Sequence, residues 1–228
     1  MNRIGDVFHR FPMGEMAYIF GMLLSAMGIA LQTKAGLGLS MVAAPAYLLS
    51  MRVPWLSFGM GECIVQGSLF LLCCVWTGRF LKKQLWSFVV AIPYGWILDQ
   101  MLQVFADIYP IFLWEKMIIY LLGSLTLAAG ISLFFQSYLP CQVYEMFVKC
   151  IAQHTGKQFS SVKQIYDWSS LGTSFVLSLL FFHQIVGIGI GTILCTLINA
   201  PLIRIFEKMF CRIFNFRPAF PAFIKIFN

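Results

Sequence analysis

The chain has 228 residues, of which 60% are hydrophobic and 11% charged; its mean hydropathy is +0.81 and its formal net charge +7. Soluble domains carry about a quarter charged residues, so a soluble globular protein is excluded. The apolar residues come in blocks of the length a helix needs to cross a bilayer, not in the short alternating segments of a barrel.

The composition predicts an all-α, polytopic membrane helix bundle with six spans. In chain order they are Met16 to Thr33, Phe58 to Thr77, Leu85 to Ala106, Met117 to Phe135, Ile165 to Phe182 and Ile185 to Phe206. Arg3 and Arg10 before the first span suit a signal peptide, but this span belongs to the repeat described below and is read as retained. After it comes "KAGLGLSMVAAPAYLLSMR" (34–52), where Gly36, Gly38 and Ser40 interrupt the helical run and an apolar stretch resumes from Met41 to Met51. At ~1.5 Å per residue that stretch reaches only ~16 Å, against a bilayer core of ~30 Å. It reads either as a re-entrant half-helix or as a helix lying flat at the interface.

Charges inside spans are costly and are functional candidates by default. Asp99 lies about two-thirds along the third span, one turn after Pro93 and Gly95. Glu62 and Asp167 fall in the first turn of their spans, where the helix dipole favours a carboxylate, and read as structural. Glu145 belongs to a second short segment, "YLPCQVYEMFVKC" (138–150), that follows Pro140. "GIGIGT" (187–192) lacks the G-x-G-x-x-G spacing of a nucleotide loop. Its Gly187, Gly189 and Gly191 are expected to allow close helix packing within the sixth span. Asn199 and Pro201 follow and suggest a polar kink.

The chain also repeats itself. "GMLLSAMGIAL" (21–31) aligns with "GSLTLAAGISL" (123–133) at an offset of 102, with six of eleven positions identical. Shared apolar composition alone gives about one or two matches. Gly21, Gly28, Gly123 and Gly130 are among the identities, as small residues that let helices approach. Each half, 15–107 and 111–210, holds three spans with a short segment after the first, followed by a basic aromatic tail over 211–228. An odd number of spans per unit sends the second copy through the membrane upside down. The fold expectation is therefore one membrane domain built as two inverted three-span repeats.

Threaded with both termini in the cytoplasm, thirteen basic residues (Arg3, Arg10, Arg79, Lys82, Lys83, Lys149, Lys157, Lys163, Arg204, Lys208, Arg212, Arg217, Lys225) fall inside and three (Lys34, Arg52, Lys116) outside. This obeys the positive-inside rule. The positive charge is thus a topology signal and not one for nucleic acid. Seven cysteines (63, 73, 74, 141, 150, 195, 211) form no C-x-x-C pair and read as small hydrophobes. His9, His154 and His183 are scattered. No metal cluster, cofactor motif or catalytic triad is visible, and an enzyme is not expected.

"AGLGLS" (35–40), "PYGWILD" (93–99), "GIGIGT" (187–192) and "NAPLIRIF" (199–206), in this order and with the repeat, resemble the bacterial YczE/YyaS/YitT-like membrane proteins over most of residues 15 to 210. The resemblance implies a multi-pass inner-membrane protein associated with transport or regulation, without a defined substrate. In similar proteins the glycine turn is followed by Pro-x-Asp. Here the first copy reads Met41-Val42-Ala43 and the second Val143-Tyr144-Glu145, with Pro140 in place of the second turn's glycine.

These observations support a transporter-like protein for a small solute, its path between the halves near both short segments, with Gly36, Gly38, Ser40, Asp99, Pro140, Glu145 and Asn199 as path candidates. The alternative is a membrane regulator or scaffold that binds a protein partner through its basic cytoplasmic face. The lipid bilayer is the expected partner in either case, and a homo-oligomer is compatible with both.

Overall fold

The computed structural model describes residues 14–78, 85–137 and 139–214. Arg3, His9, Arg10, Arg79, Lys82, Lys83, Arg217 and Lys225, and with them the tail beyond residue 214, lie outside the described residues. The described residues form eight helices: α1 Gly14–Ala35, α2 Ala44–Arg52, α3 Phe58–Thr77, α4 Leu85–Val104, α5 Leu113–Gln136, α6 Val143–Thr155, α7 Phe159–Phe182 and α8 Ile190–Ile213. All but α2 and α6 are long and apolar enough to cross a membrane, so this is a multi-pass membrane protein with a short helix after the first and fourth spans.

Local chemistry sets several ends. Ser57 accepts the Met60 N–H at 3.1 Å to open α3, and Gly78, in the left-handed region at φ +64°, closes it. The Glu115 carboxylate folds back onto the Ile111 and Phe112 N–H groups at 2.8 and 3.1 Å, satisfying donors that the start of α5 leaves free. α5 therefore begins at Leu113 instead of Met117, and α7 extends back to Phe159 instead of beginning at Ile165. Asp167 is consequently two turns inside α7 and not in its first turn.

The sixth span is corrected most. It begins at Ile190 instead of Ile185. The Ser178 hydroxyl accepts the Val186 N–H at 2.6 Å, and Gly187 holds φ +71°, so the chain turns here instead of starting a helix. Gly187 and Gly189 thus precede α8, and only Gly191 lies in it.

The core is the crossing of α1 and α5. They run antiparallel, with Gly21 against Gly130 and Gly28 against Gly123. A Cβ added at Gly28 would lie 2.5 Å from Leu127 N and 2.7 Å from Gly123 O; one at Gly130 would lie 2.8 Å from Gly21 O. The backbones touch, as small residues allow in lipid. Around this seam α4 packs on α1, and α8 on α5. Each short helix packs on the second long helix of both halves, α2 on α3 and α7, α6 on α7 and α3. α3 and α4 pack closely through Gly59 and Gly95, where a Cβ at Gly95 would meet Gly59 O at 2.5 Å. α7 and α8 do not pack along one another.

Candidate functional site

The two glycine motifs singled out in the sequence meet. Leu39 N–H donates to Gly187 O at 3.2 Å and Gly191 N–H to Leu37 O at 2.9 Å, so the turn after α1 is zipped to the entry of α8. Gly38, at φ +113°, has no room for a side chain, since a Cβ would lie 2.5 Å from Thr192 Oγ1. Ser40 N–H donates to the Oε1 of fully buried Gln32 at 3.1 Å, and Gln32 Nε2 donates to Ser124 Oγ at 3.2 Å. Gly36, Gly38 and Ser40 are therefore brought together with Gly187, Gly189 and Gly191. Pro140, in the matching turn after α5, accepts the Tyr18 hydroxyl at 2.8 Å.

This anchoring places the start of α2 deep in the bundle. Met41 O accepts the hydroxyl of Ser170, which stands at the midpoint of the 24-residue α7, at 2.8 Å. Tyr47 and Leu48 of α2 border Gly187. α6 lies along α3. Its C-terminal His154 stacks edge-on with Trp76 at the end of α3, at 6.4 Å between ring centroids, while Tyr144 in its first turn reaches back to Glu62. Val42, just before α2, packs against the cluster that contains Tyr144, Val148 and Tyr166.

Joined to that cluster through Tyr144 lies a buried polar group. Glu62 and Gln66 have no exposed surface, and Tyr144 and Tyr94 are buried beside them. Glu62 Oε2 accepts the Tyr144 hydroxyl at 2.6 Å and Gln66 Nε2 at 3.3 Å. Glu62 Oε1 and Gln66 Oε1 are buried with no hydrogen-bond partner. Among the described residues no lysine or arginine nitrogen lies within 4.0 Å of the carboxylate. Glu62 and Gln66 are one helical turn apart on the same face of an apolar span. That spacing is visible in the sequence, and Glu62 does not serve the helix dipole expected of it there. It is the fifth residue of α3, past the first turn.

The other candidates are dispersed. Asp99 is engaged at the start of α3: Ser57 Oγ donates to its Oδ2 at 2.6 Å and Gly59 N–H to its Oδ1 at 2.8 Å. It caps the neighbouring helix and ties α4 to α3. Glu145 is half-buried on α6, within electrostatic reach of Lys149 and Lys163. Lys163 pairs with Asp167 at 3.1 Å. Asn199 is half-buried in α8 with its Oδ1 unpartnered. No group of three or more metal-ligating side chains occurs among the described residues.

A family model described as a family of unknown function (DUF6198) matches residues 13–208, which covers every helix of both halves apart from the last residues of α8. The chain belongs to this family. The site residues of this DUF6198 member, from Gln32 to Thr192, all fall inside the matched region. No curated protein and no solved structure matched the chain.

Proposed function

We propose that this protein is a transporter of a small solute in the bacterial inner membrane, built as two inverted three-span repeats with both termini cytoplasmic. The observation that carries the reading is the buried polar group of Glu62, Gln66 and Tyr144, to which the first turn of α6 supplies Tyr144, with Val42 before α2 packed against the same apolar cluster as Tyr144. Short helices that begin inside the bundle leave their first backbone N–H groups without helical partners, and in lipid these must face protein, water or a ligand. Broken helices at matching places in two inverted halves are where transporters hold their substrates. The reciprocal glycine contacts of α1 and α5 support the inversion, because each glycine meets the repeat partner of the other. The excess of Lys and Arg on one side supports the orientation. The resemblance to YczE/YyaS/YitT-like proteins points the same way.

Proteoliposomes carrying the full chain, assayed with panels of amino acids, sugars, organic ions and inorganic cations, test the reading. Flux of one class is expected, slowed on the order of tenfold by Tyr144→Phe, which removes the hydrogen bond to Glu62. No flux for any class, together with loss of function on neutralising Lys157 and Lys163, favours a scaffold instead.

A further inference from the structure

We propose that Glu62 is a proton-binding site in the membrane interior, its carboxyl held by Tyr144 and Gln66. A carboxylate without solvent exposure costs several kcal/mol to ionise unless it is matched by a cation or by several hydrogen-bond donors. Glu62 has neither: its two donors both reach Oε2, and Oε1 has none. Gln66 Oε1 is a second buried acceptor without a donor. Two orphaned acceptors one turn apart lack a hydrogen. One proton on Glu62 Oε1 removes the charge and supplies a donor where none exists.

The surroundings bring no cation to replace that proton. The titratable groups around Glu62 are Cys63 on α3, Tyr94 on α4, Tyr144 and Glu145 on α6, and Tyr166 on α7. All are acids. α2, which also packs on α3, carries Tyr47, whose ring lies edge-on against Phe58 at 5.4 Å, and Arg52 in its last turn, which is exposed. Lys149 and Lys163 act on Glu145. Half-buried Glu145 is within electrostatic reach of these lysines and of Glu62. Proton binding does not depend on the transport reading; only its use to drive a solute does.

Infrared spectroscopy of the full-length protein in lipid, labelled with carboxyl-¹³C glutamate, tests this directly. The wild type is expected to show an isotope-sensitive protonated-carboxyl band that fades as the medium is made alkaline. Glu62→Gln should abolish it and Glu145→Gln retain it. Tyr144→Phe should shift it upward in frequency through loss of a hydrogen bond. Exchanging sodium for potassium or choline should leave it unchanged. Absence of the band in the wild type at every pH overturns the proposal without reference to any variant's folding. So does its disappearance on adding sodium, which would make this an alkali-cation site. A missing flux with the band present would refute transport alone.

Discussion

The two halves follow the same path through the bundle and close differently. In the first, α3 and α4 are joined: Gly59 and Gly95 let the backbones touch, and Asp99 ties the end of α4 to the start of α3. In the second, the residues at the same offset are Ser161, Leu197 and Pro201, and α7 and α8 stand apart. In neither that register nor one shifted by a residue do Gly59, Gly95 and Asp99 have a glycine or acidic counterpart in the second half. Larger residues in place of two glycines keep the backbones apart, and a proline cannot cap a neighbour. The first half is a fixed frame, whereas the second holds its long helices through α2 and α5 and not through each other.

The strongest test of this comparison is the seam that both halves share. Gly28→Leu would drive a side chain into the backbone of Leu127 and Gly123. Neither can yield without separating α1 from α5. The substitution is expected to cost more than about 4 kcal/mol and to abolish a monodisperse detergent-solubilised species. Gly130→Leu should do the same from the other half. If either variant folds with an unchanged melting temperature, the seam is not what holds the halves together.

Next in size is the closure of the first half. Asp99→Asn keeps the shape and removes the charge from two short hydrogen bonds. It is expected to destabilise by roughly 1–3 kcal/mol, and Ser57→Ala by about 1 kcal/mol, both read as melting temperature in detergent. Asp99→Asn should leave any flux intact in the molecules that remain folded. Unchanged stability with lost flux would return Asp99 to the solute path.

These contrasts explain what was legible in the sequence. The six spans were, because length and hydropathy alone decide what can cross a bilayer; the bounds of α3, Phe58 and Thr77, emerged at both ends. The short helices were legible too, because an apolar run too short to span, set off by Gly36 and Gly38 in one case and by Pro140 in the other, has few other readings. The entry of α8 was not. Hydropathy runs unbroken through "IVGIGIG", and only the Ser178 hydroxyl and the zipper to residues 37–39 show that the chain is extended there. Asp99 stood out as a charge in a span, yet its role is set by Ser57 and Gly59, some forty residues away. Glu62 carried its signal in plain view, as an acid and an amide one turn apart, and was masked by its nearness to a helix start.

The smallest expected effect is on the open side of the second half. Gly172, near the middle of α7, has nothing within 4 Å of an added Cβ, and its neighbours Trp168, Phe175, Val176 and Leu179 are exposed apolar residues. Such a face suits lipid, which accepts a larger apolar side chain without rearrangement. Gly172→Leu is therefore expected to change stability by no more than about 0.5 kcal/mol and to leave the mass of the particle in detergent unchanged, as measured by light scattering. The same substitution at Gly28 or Gly130 is the largest effect above, so one chemical change probes both extremes of packing. A fall in mass on Gly172→Leu would mean that a second copy covers this face. The open half would then be closed by its own kind, and the contrast between the halves would hold within one chain but not in the assembly.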